Sequence, residues 1–127
     1  MNPNYFKVVF IHNSIKVFPR TFGIITAYNP QDQSLTEGQN QKRNKLLKVQ
    51  ISHQMKLLGE IVGSSIDKTH QEPSFVTEGK LPELLKLGKE FEQNAVYWIK
   101  EDSLFLLDCN HRKKYQMGSF RKRIRES

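Results

Sequence analysis

The chain contains a single cysteine, Cys109, so no internal disulfide forms and the fold must stand on packing alone. That suits a reducing compartment. Long apolar runs are also missing: nothing approaches the roughly 18 consecutive apolar residues that read as a transmembrane helix. The N-terminal segment MNPNYFKVVFIHNSIKVF is interrupted by Lys7, His12, Asn13 and Lys16 too often for a secretory hydrophobic region. A cytoplasmic location without a membrane span is the resulting expectation. No HExxH, CxxC, GxSxG, Walker or GxGxxG pattern occurs. His12, His53, His70 and His111 are scattered, and the pairs His70/Glu72 and Cys109/His111 have a spacing that alternation alone produces. Neither a metal site nor a cofactor is expected. Internal repeats are absent as well, and the only biased segment is the basic end of the chain.

What is present fits one globular domain. The 127 residues are 37% hydrophobic and 26% charged, long enough to bury a core and unlike a disordered or membrane composition. The net charge is +7, unevenly spread. Seven Lys and Arg lie between Cys109 and Ser127 against the single Glu126, so six of the seven net charges sit there. Residues 1–108 therefore read as a nearly neutral domain, and 109–127 as a basic C-terminal extension.

Phe6–Ile11 and Ile15–Phe18 are apolar, β-branched runs around His12-Asn13-Ser14, the pattern of a hairpin. Phe22–Tyr28 reads as a central strand covered on both faces, ended by Asn29-Pro30. Two overlapping capping boxes, Ser34 with Glu37 and Thr36 with Gln39, announce a helix. It carries Leu47, Ile51, Met55 and Leu58 at helical spacing and is predicted to stop at Gly59. Glu60–Gly63 and Ser74–Thr77 are short strand candidates flanking a polar loop. Pro82 opens a second helix with Leu84, Leu87, Gly88 and Phe91 on one face. Ala95–Ile99 and Leu104–Leu107 form a hairpin. This order predicts an α+β fold, a ferredoxin-like (split βαβ) sandwich with an N-terminal hairpin, an extra C-terminal strand and a basic tail.

The first helix has an unusual inward stripe. Stepping back from Met55 by helical spacing gives Ile51, Leu47, Asn44 and Asn40, so the apolar ridge turns to amide in its first two turns. That end faces the close of the strand carrying Thr26 and Asn29. Two readings stand open. Asn29 makes an Asx turn while Asn40 and Asn44 tie the following loop to the helix; or Thr26, Asn29, Asn40 and Asn44 line a pocket for a neutral polar ligand at the carboxyl end of the strand. Phosphate is disfavoured by a loop with one glycine and an acidic Asp32.

The motifs TAYNP (26–30), Ser34, Asn40, EPSF (72–75) and QNAVYW (93–98) resemble those of the bacterial domain-of-unknown-function family 3293, over roughly residues 22–107. No activity comes with that resemblance. It adds Glu72, Ser74, Gln93 and Asn94 to the candidate ligand-binding positions. Gln93 and Asn94 also read as the end of the second helix, with Asn94 as a left-handed cap. Glu72 reads as an exposed loop residue unless it points at Asn40 or Asn44, in which case the site gains an acceptor or a base.

The C-terminal segment interleaves Arg112, Lys113, Lys114, Arg121, Lys122, Arg123 and Arg125 with Tyr115 and Phe120, a composition suited to phosphate contact and base stacking. Salt-sensitive binding of RNA or single-stranded DNA, lost on removing residues 112–127, is the expected result; a solvated tail is the other reading. The leading expectation is a binding module with a polar pocket and a nucleic-acid tail. The alternatives are a small enzyme acting on a nucleotide or nucleoside-like substrate, distinguished by Glu72 inside the pocket with a raised pKa, and a protein-interaction subunit, such as a homodimer formed through the apolar last hairpin.

Overall fold

The computed structural model describes residues 1–12, 15 and 17–127, and eight strands and two helices lie within them. The strands are β1 (Val9–His12), β2 (Thr21–Ile25), β3 (Lys56–Ser64), β4 (Gln71–Glu78), β5 (Ala95–Lys100), β6 (Ser103–Asp108), β7 (Lys114–Ser119) and β8 (Ile124–Glu126). Helix α1 (Glu37–Gln54) joins β2 to β3, and α2 (Leu81–Glu90) joins β4 to β5. All strands belong to one sheet in the order β7-β6-β5-β2-β4-β3-β1-β8. Every neighbouring pair is antiparallel except β1 with β8, so the sheet is mixed and the fold is α+β.

The sheet is curled, and the chain itself shows why. At strand spacing, the two edges of a flat eight-stranded sheet would lie roughly 34 Å apart. Yet β7 and β8, the two edges, are joined through Phe120 and the 3-10 turn Arg121–Arg123, and the five residue steps from Ser119 to Ile124 reach about 17 Å at most. The edges must approach each other.

Curling divides the core in two. On the outer face α1 and α2 cover Ile25, Phe75, Val96, Trp98 and Leu107 with Leu47, Ile51, Leu84 and Leu87. Gly23 on β2 permits this approach, because a Cβ there would lie 2.6 Å from Leu84 Cδ2. On the inner face Phe10, Phe22, Ile24, Ile61, Val76, Ile99 and Leu104 fill the curl around the buried Phe120 ring. Phe120 meets Phe10, Phe18 and Phe22 at centroid distances of 5.2–5.5 Å. Alternation along β2 explains the split: Phe22 and Ile24 point in, Gly23 and Ile25 point out.

Arg123 holds the two edges together. Its guanidinium donates to Phe6 O (2.9 Å) and Val8 O (3.1 Å) beside β1, and to Met117 O (3.2 Å) on β7. A planar fork suits three carbonyls and a point charge does not. Arg123→Ala is expected to lower stability by about 1–2 kcal/mol, with little recovery in Arg123→Lys. A urea midpoint unchanged by both substitutions would show that the edges stay closed without it.

Several local expectations are corrected. β1 pairs with β3 and β8, and Ile15, Val17 and Phe18 are not in a strand, so the described residues form no N-terminal hairpin. The turn expected at His12-Asn13-Ser14 falls partly on Asn13 and Ser14, which, like Lys16, lie outside the described residues. Helix α1 starts on the Thr36/Gln39 capping box but ends at Gln54 instead of Leu58. Lys56 and Leu57 pair with Glu78 and Thr77 on β4, with a register shift between Leu57 and Gly59. Cross-strand bonding there outweighs local helical spacing, and Leu58 packs on the inner core. β2 ends at Ile25 because the next backbone groups bond to side chains, as described below. Beyond the last expected hairpin, residues 114–126 contribute β7 and β8 to the same sheet. The apolar side chains of the β5–β6 hairpin are divided between the two cores.

Candidate functional site

At the end of the curl where β2 and β3 finish and β4 and β5 begin, most of the inward-facing residues become small. On β3 the inward step after Ile61 is Gly63; on β4, read backwards from Val76, it is Ser74 and then Glu72; on β5, backwards from Ile99, it is Tyr97 and then Ala95; on β2 it is Thr26 after Ile24. Replacing large side chains by small ones leaves a cavity of about 920 Å³, within the size range of small-molecule sites. The 3-10 turn Pro3–Lys7 adds Tyr5 to its wall. Tyr97 Oη donates to Tyr5 O (2.9 Å), and Tyr5 Oη donates to Asp32 Oδ1 (2.6 Å), so the turn is tied to both β5 and the β2–α1 loop.

Asp32, Asp67 and Glu72 are the carboxyls lining the cavity, and of these Glu72 is the one that is not exposed. Burial, then the neighbouring Asp32 charge, push its pKa above the ordinary glutamate value, while the Asn29 hydrogen bond and His70 oppose the shift. Asn29 Nδ2 donates to Glu72 Oε2 (3.0 Å). Asn29 is fixed in turn: its N–H donates to Asn40 Oδ1 (2.9 Å), and its Oδ1 accepts from Asn40 Nδ2 (2.9 Å) and Leu35 N (3.1 Å). Asn29 (φ +44°), Gln31 (+52°) and Asp32 (+62°) all occupy the left-handed region, where Asn and Asp are the least strained non-glycine residues. Tyr5 and Tyr97 both have pKa values well above the phenol range, chiefly through burial; hydrogen bonding to Asp32 adds to the effect at Tyr5.

The structure sorts the sequence candidates into two groups. Thr26, Asn29, Glu72 and Ser74 line the cavity. Asn40 and Asn44 are buried behind it, with both amide ends engaged: Asn44 Oδ1 accepts from Ala27 N (2.8 Å) and Nδ2 donates to Pro73 O (2.9 Å). Gln93 Nε2 bonds Tyr28 O (3.1 Å) and Phe91 O (3.2 Å), and Asn94 Oδ1 accepts from Asn110 (3.3 Å); neither lines the cavity. The left-handed cap of α2 is Glu92 (φ +57°) rather than Asn94, and the Gln93 N–H closes the motif on Gly88 O (2.8 Å). Tyr5, Asp32 and Tyr97 were not singled out from sequence. Alternation places Tyr97 on the same face as Ala95, but nothing local marks Tyr5, which meets Tyr97 across 92 residues of chain.

The cations of the C-terminal segment are dispersed. Arg112 and Lys113 precede β7 and Lys114 opens it, whereas Arg121 and Lys122 follow it, so a six-residue strand of roughly 20 Å lies between the two groups. Lys114 Nζ sits 4.0 Å from the Phe105 ring centroid, Tyr115 packs edge-on against Phe6 and Arg121 Nε lies 4.0 Å from Asp102. Arg125 Nη1 bonds Lys122 O and Ile124 O, and Arg123 is the edge clamp already described. Among the described residues no group of three or more His, Cys, Asp or Glu is placed to hold a metal, and no helix is long and apolar enough to cross a membrane.

A family model described as "Protein of unknown function (DUF3293)" matches residues 25–96, more than half of the chain. The chain belongs to that family. No curated protein and no solved structure matches it. The DUF3293 segment contains Thr26, Asn29, Asn40, Asn44, Glu72 and Ser74. Part of the cavity wall comes from outside the segment: Tyr5 from the N-terminal turn, Val8 and Phe10 from β1 and its approach, and Tyr97 from the residue just past the match.

Proposed function

We propose that this DUF3293 chain is a ligand-binding module whose site is the cavity inside the curled sheet, sized for a small polar molecule. One observation carries the reading. Glu72 is half-buried on the cavity wall, positioned through Asn29 and Asn40, and its Oε1, which keeps contact with solvent in the cavity, has no hydrogen-bond partner among the described residues. A half-buried carboxyl with no salt-bridge partner among the described residues is poorly explained by stability. The strand order β5-β2-β4-β3, with both helices on one face, supports taking the central body as a ferredoxin-like (split βαβ) sandwich to which β1, β6, β7 and β8 are added.

A thermal-shift screen of nucleobases, nucleosides, nucleotides, small amines and short RNAs tests this proposal. The cavity-filling variant Gly63→Leu is the control: a Cβ at Gly63 would meet its nearest atom, Val8 Cγ2, at an ordinary 3.7 Å, which leaves room for a longer side chain to enter the cavity. Stabilisation of the wild type that disappears in Gly63→Leu is the expected result. Equal stabilisation of both proteins would place the ligand elsewhere.

The same Glu72 geometry supports a second reading, an enzyme in which Glu72 is the acid or base for a nucleoside-like substrate. Turnover of a ligand found in the screen, abolished in Glu72→Gln while binding persists, would favour it. Nucleic-acid binding is read from the RNA arm through paired charge reversals, Arg112/Lys113→Glu and Arg121/Lys122→Glu. Deleting residues 112–127 would remove β7, β8 and Phe120 from the fold, so loss of binding on truncation would report unfolding. If the segment contacts RNA electrostatically, each reversal weakens binding and flattens its salt dependence.

A further inference from the structure

We propose that the ligand of this cavity is a nitrogen base that presents N–H donors, an amine, guanidine or aminated heterocycle, bound with a donor on Glu72 Oε1. This rests on the reading of the cavity as a ligand site and specifies what the site selects. Tyr5 donates to Asp32 (2.6 Å), Tyr97 to Tyr5 O (2.9 Å), Thr26 to Pro73 O (2.7 Å), Ser74 to Glu72 O (2.9 Å) and Ser64 to Ser65 O (2.7 Å). Every one of these cavity hydroxyls has committed its proton to the protein, so what it can offer a ligand is a lone pair.

The carboxyls point the same way. Glu72 gives one oxygen to Asn29, and Asp32 gives one to Tyr5; the second oxygen of each has no partner among the described residues. The donors at the cavity, the cations Lys7 and His70 and the amides of Asn2, Asn4 and Gln71, are exposed at its rim, as is Asp32, so the acceptor character belongs to the interior around Glu72. An anionic or acceptor-rich ligand would therefore lose its water and meet lone pairs. A donor-rich base exchanges water for acceptors, and a cationic one also gains the Glu72 charge, which is screened least where burial is deepest. The half-buried Tyr97 ring on the cavity wall supplies an apolar surface against which a planar or cationic base packs.

Isothermal titration of the full chain with agmatine, cytosine and adenine, and with inorganic phosphate and AMP as anionic probes, tests the inference. At least one of the three bases is expected to bind. Its Kd is expected to rise tenfold or more in Glu72→Gln, which keeps the size of the side chain and the Asn29 contact, and binding is expected to vanish in Gly63→Leu. Phosphate is expected not to bind, and AMP to bind no more tightly than adenine. An anionic probe that outcompetes the bases and is lost in Gly63→Leu overturns the inference while upholding the cavity as a ligand site. Bases that bind equally to wild type and Glu72→Gln overturn it too, as does the absence of binding by all three at millimolar concentration. Binding of any probe that survives Gly63→Leu undercuts the cavity reading itself.

Discussion

Asn44→Ala is expected to destabilise the protein by about 2–4 kcal/mol, because it removes the side chain that serves the Ala27 backbone N–H at the point where β2 leaves the sheet. Asn44 is 8% exposed, and its Oδ1 accepts from the buried Ala27 N–H at 2.8 Å. Its Nδ2 reaches Pro73 O, but that carbonyl also accepts from Thr26 Oγ1 at 2.7 Å, so the loss falls mainly on Ala27. An orphaned buried donor costs its full desolvation, to which the space vacated by the amide is added. Asn44→Leu fills the space but leaves the donor unpaired, so it should rescue only part of the loss. Asn44→Asp keeps the acceptor for Ala27 but buries a charge facing Pro73 O. Urea unfolding decides the matter: a drop below about 1 kcal/mol for alanine would mean that the Ala27 N–H finds another partner, and the amide stripe of α1 would lose its structural role.

Glu72→Gln should act in the opposite direction and stabilise the protein at pH 7. The pKa of Glu72 is raised in the folded state, first by burial and then by Asp32, so between its ordinary value of 4.5 and the folded value the native protein binds more protons than the unfolded chain. Stability contributed by this residue therefore falls as pH rises through that interval. The penalty is fully developed above the folded pKa and absent below the unfolded one. Each unit by which the pKa is raised corresponds to about 1.4 kcal/mol. For a domain of this length each kcal/mol moves the melting temperature by roughly 3–6 °C. Glutamine accepts from Asn29 as glutamate does and carries no charge, so the variant should melt higher at pH 7 and converge on the wild type as pH falls towards 4. Calorimetry of both proteins across pH 4–8 measures this. A variant that is less stable at neutral pH, or a difference that does not change with pH, would mark Glu72 as structural and remove the main support for a ligand in the cavity. Gain of stability on losing a side chain is the usual signature of a group retained for function.

These two residues mark the limit of what could be read without coordinates. The inward turn of Asn40 and Asn44 was legible because helical spacing is local: both are buried in line with Leu47 and Ile51. What they do was also among the readings open from sequence, since they tie the strand end and loop to α1. Glu72 could not be placed in the same way. Its neighbour Asn29 is 43 residues away in sequence, and its inward direction follows from alternation only once the register and curl of β4 are known. The C-terminal segment was legible as charge but not as structure. Lys114–Ser119 is weakly apolar, and it becomes a strand because β6 offers an edge; Arg123 reads as one more exposed cation until the carbonyls of Phe6, Val8 and Met117 surround it.

The order of residues by itself determined the two helices with their buried stripes, the strand segments β2 to β6 and the position of the polar cluster after β2. Those features depend on periods of two and 3.6 residues and on caps within one turn. Only the tertiary structure decided that the sheet curls, that Arg123 closes it and that Tyr5 and Tyr97 meet beside Glu72, turning a run of small inward residues into a cavity. Enclosure depends on contacts between segments as much as 117 residues apart, and no local periodicity carries that information.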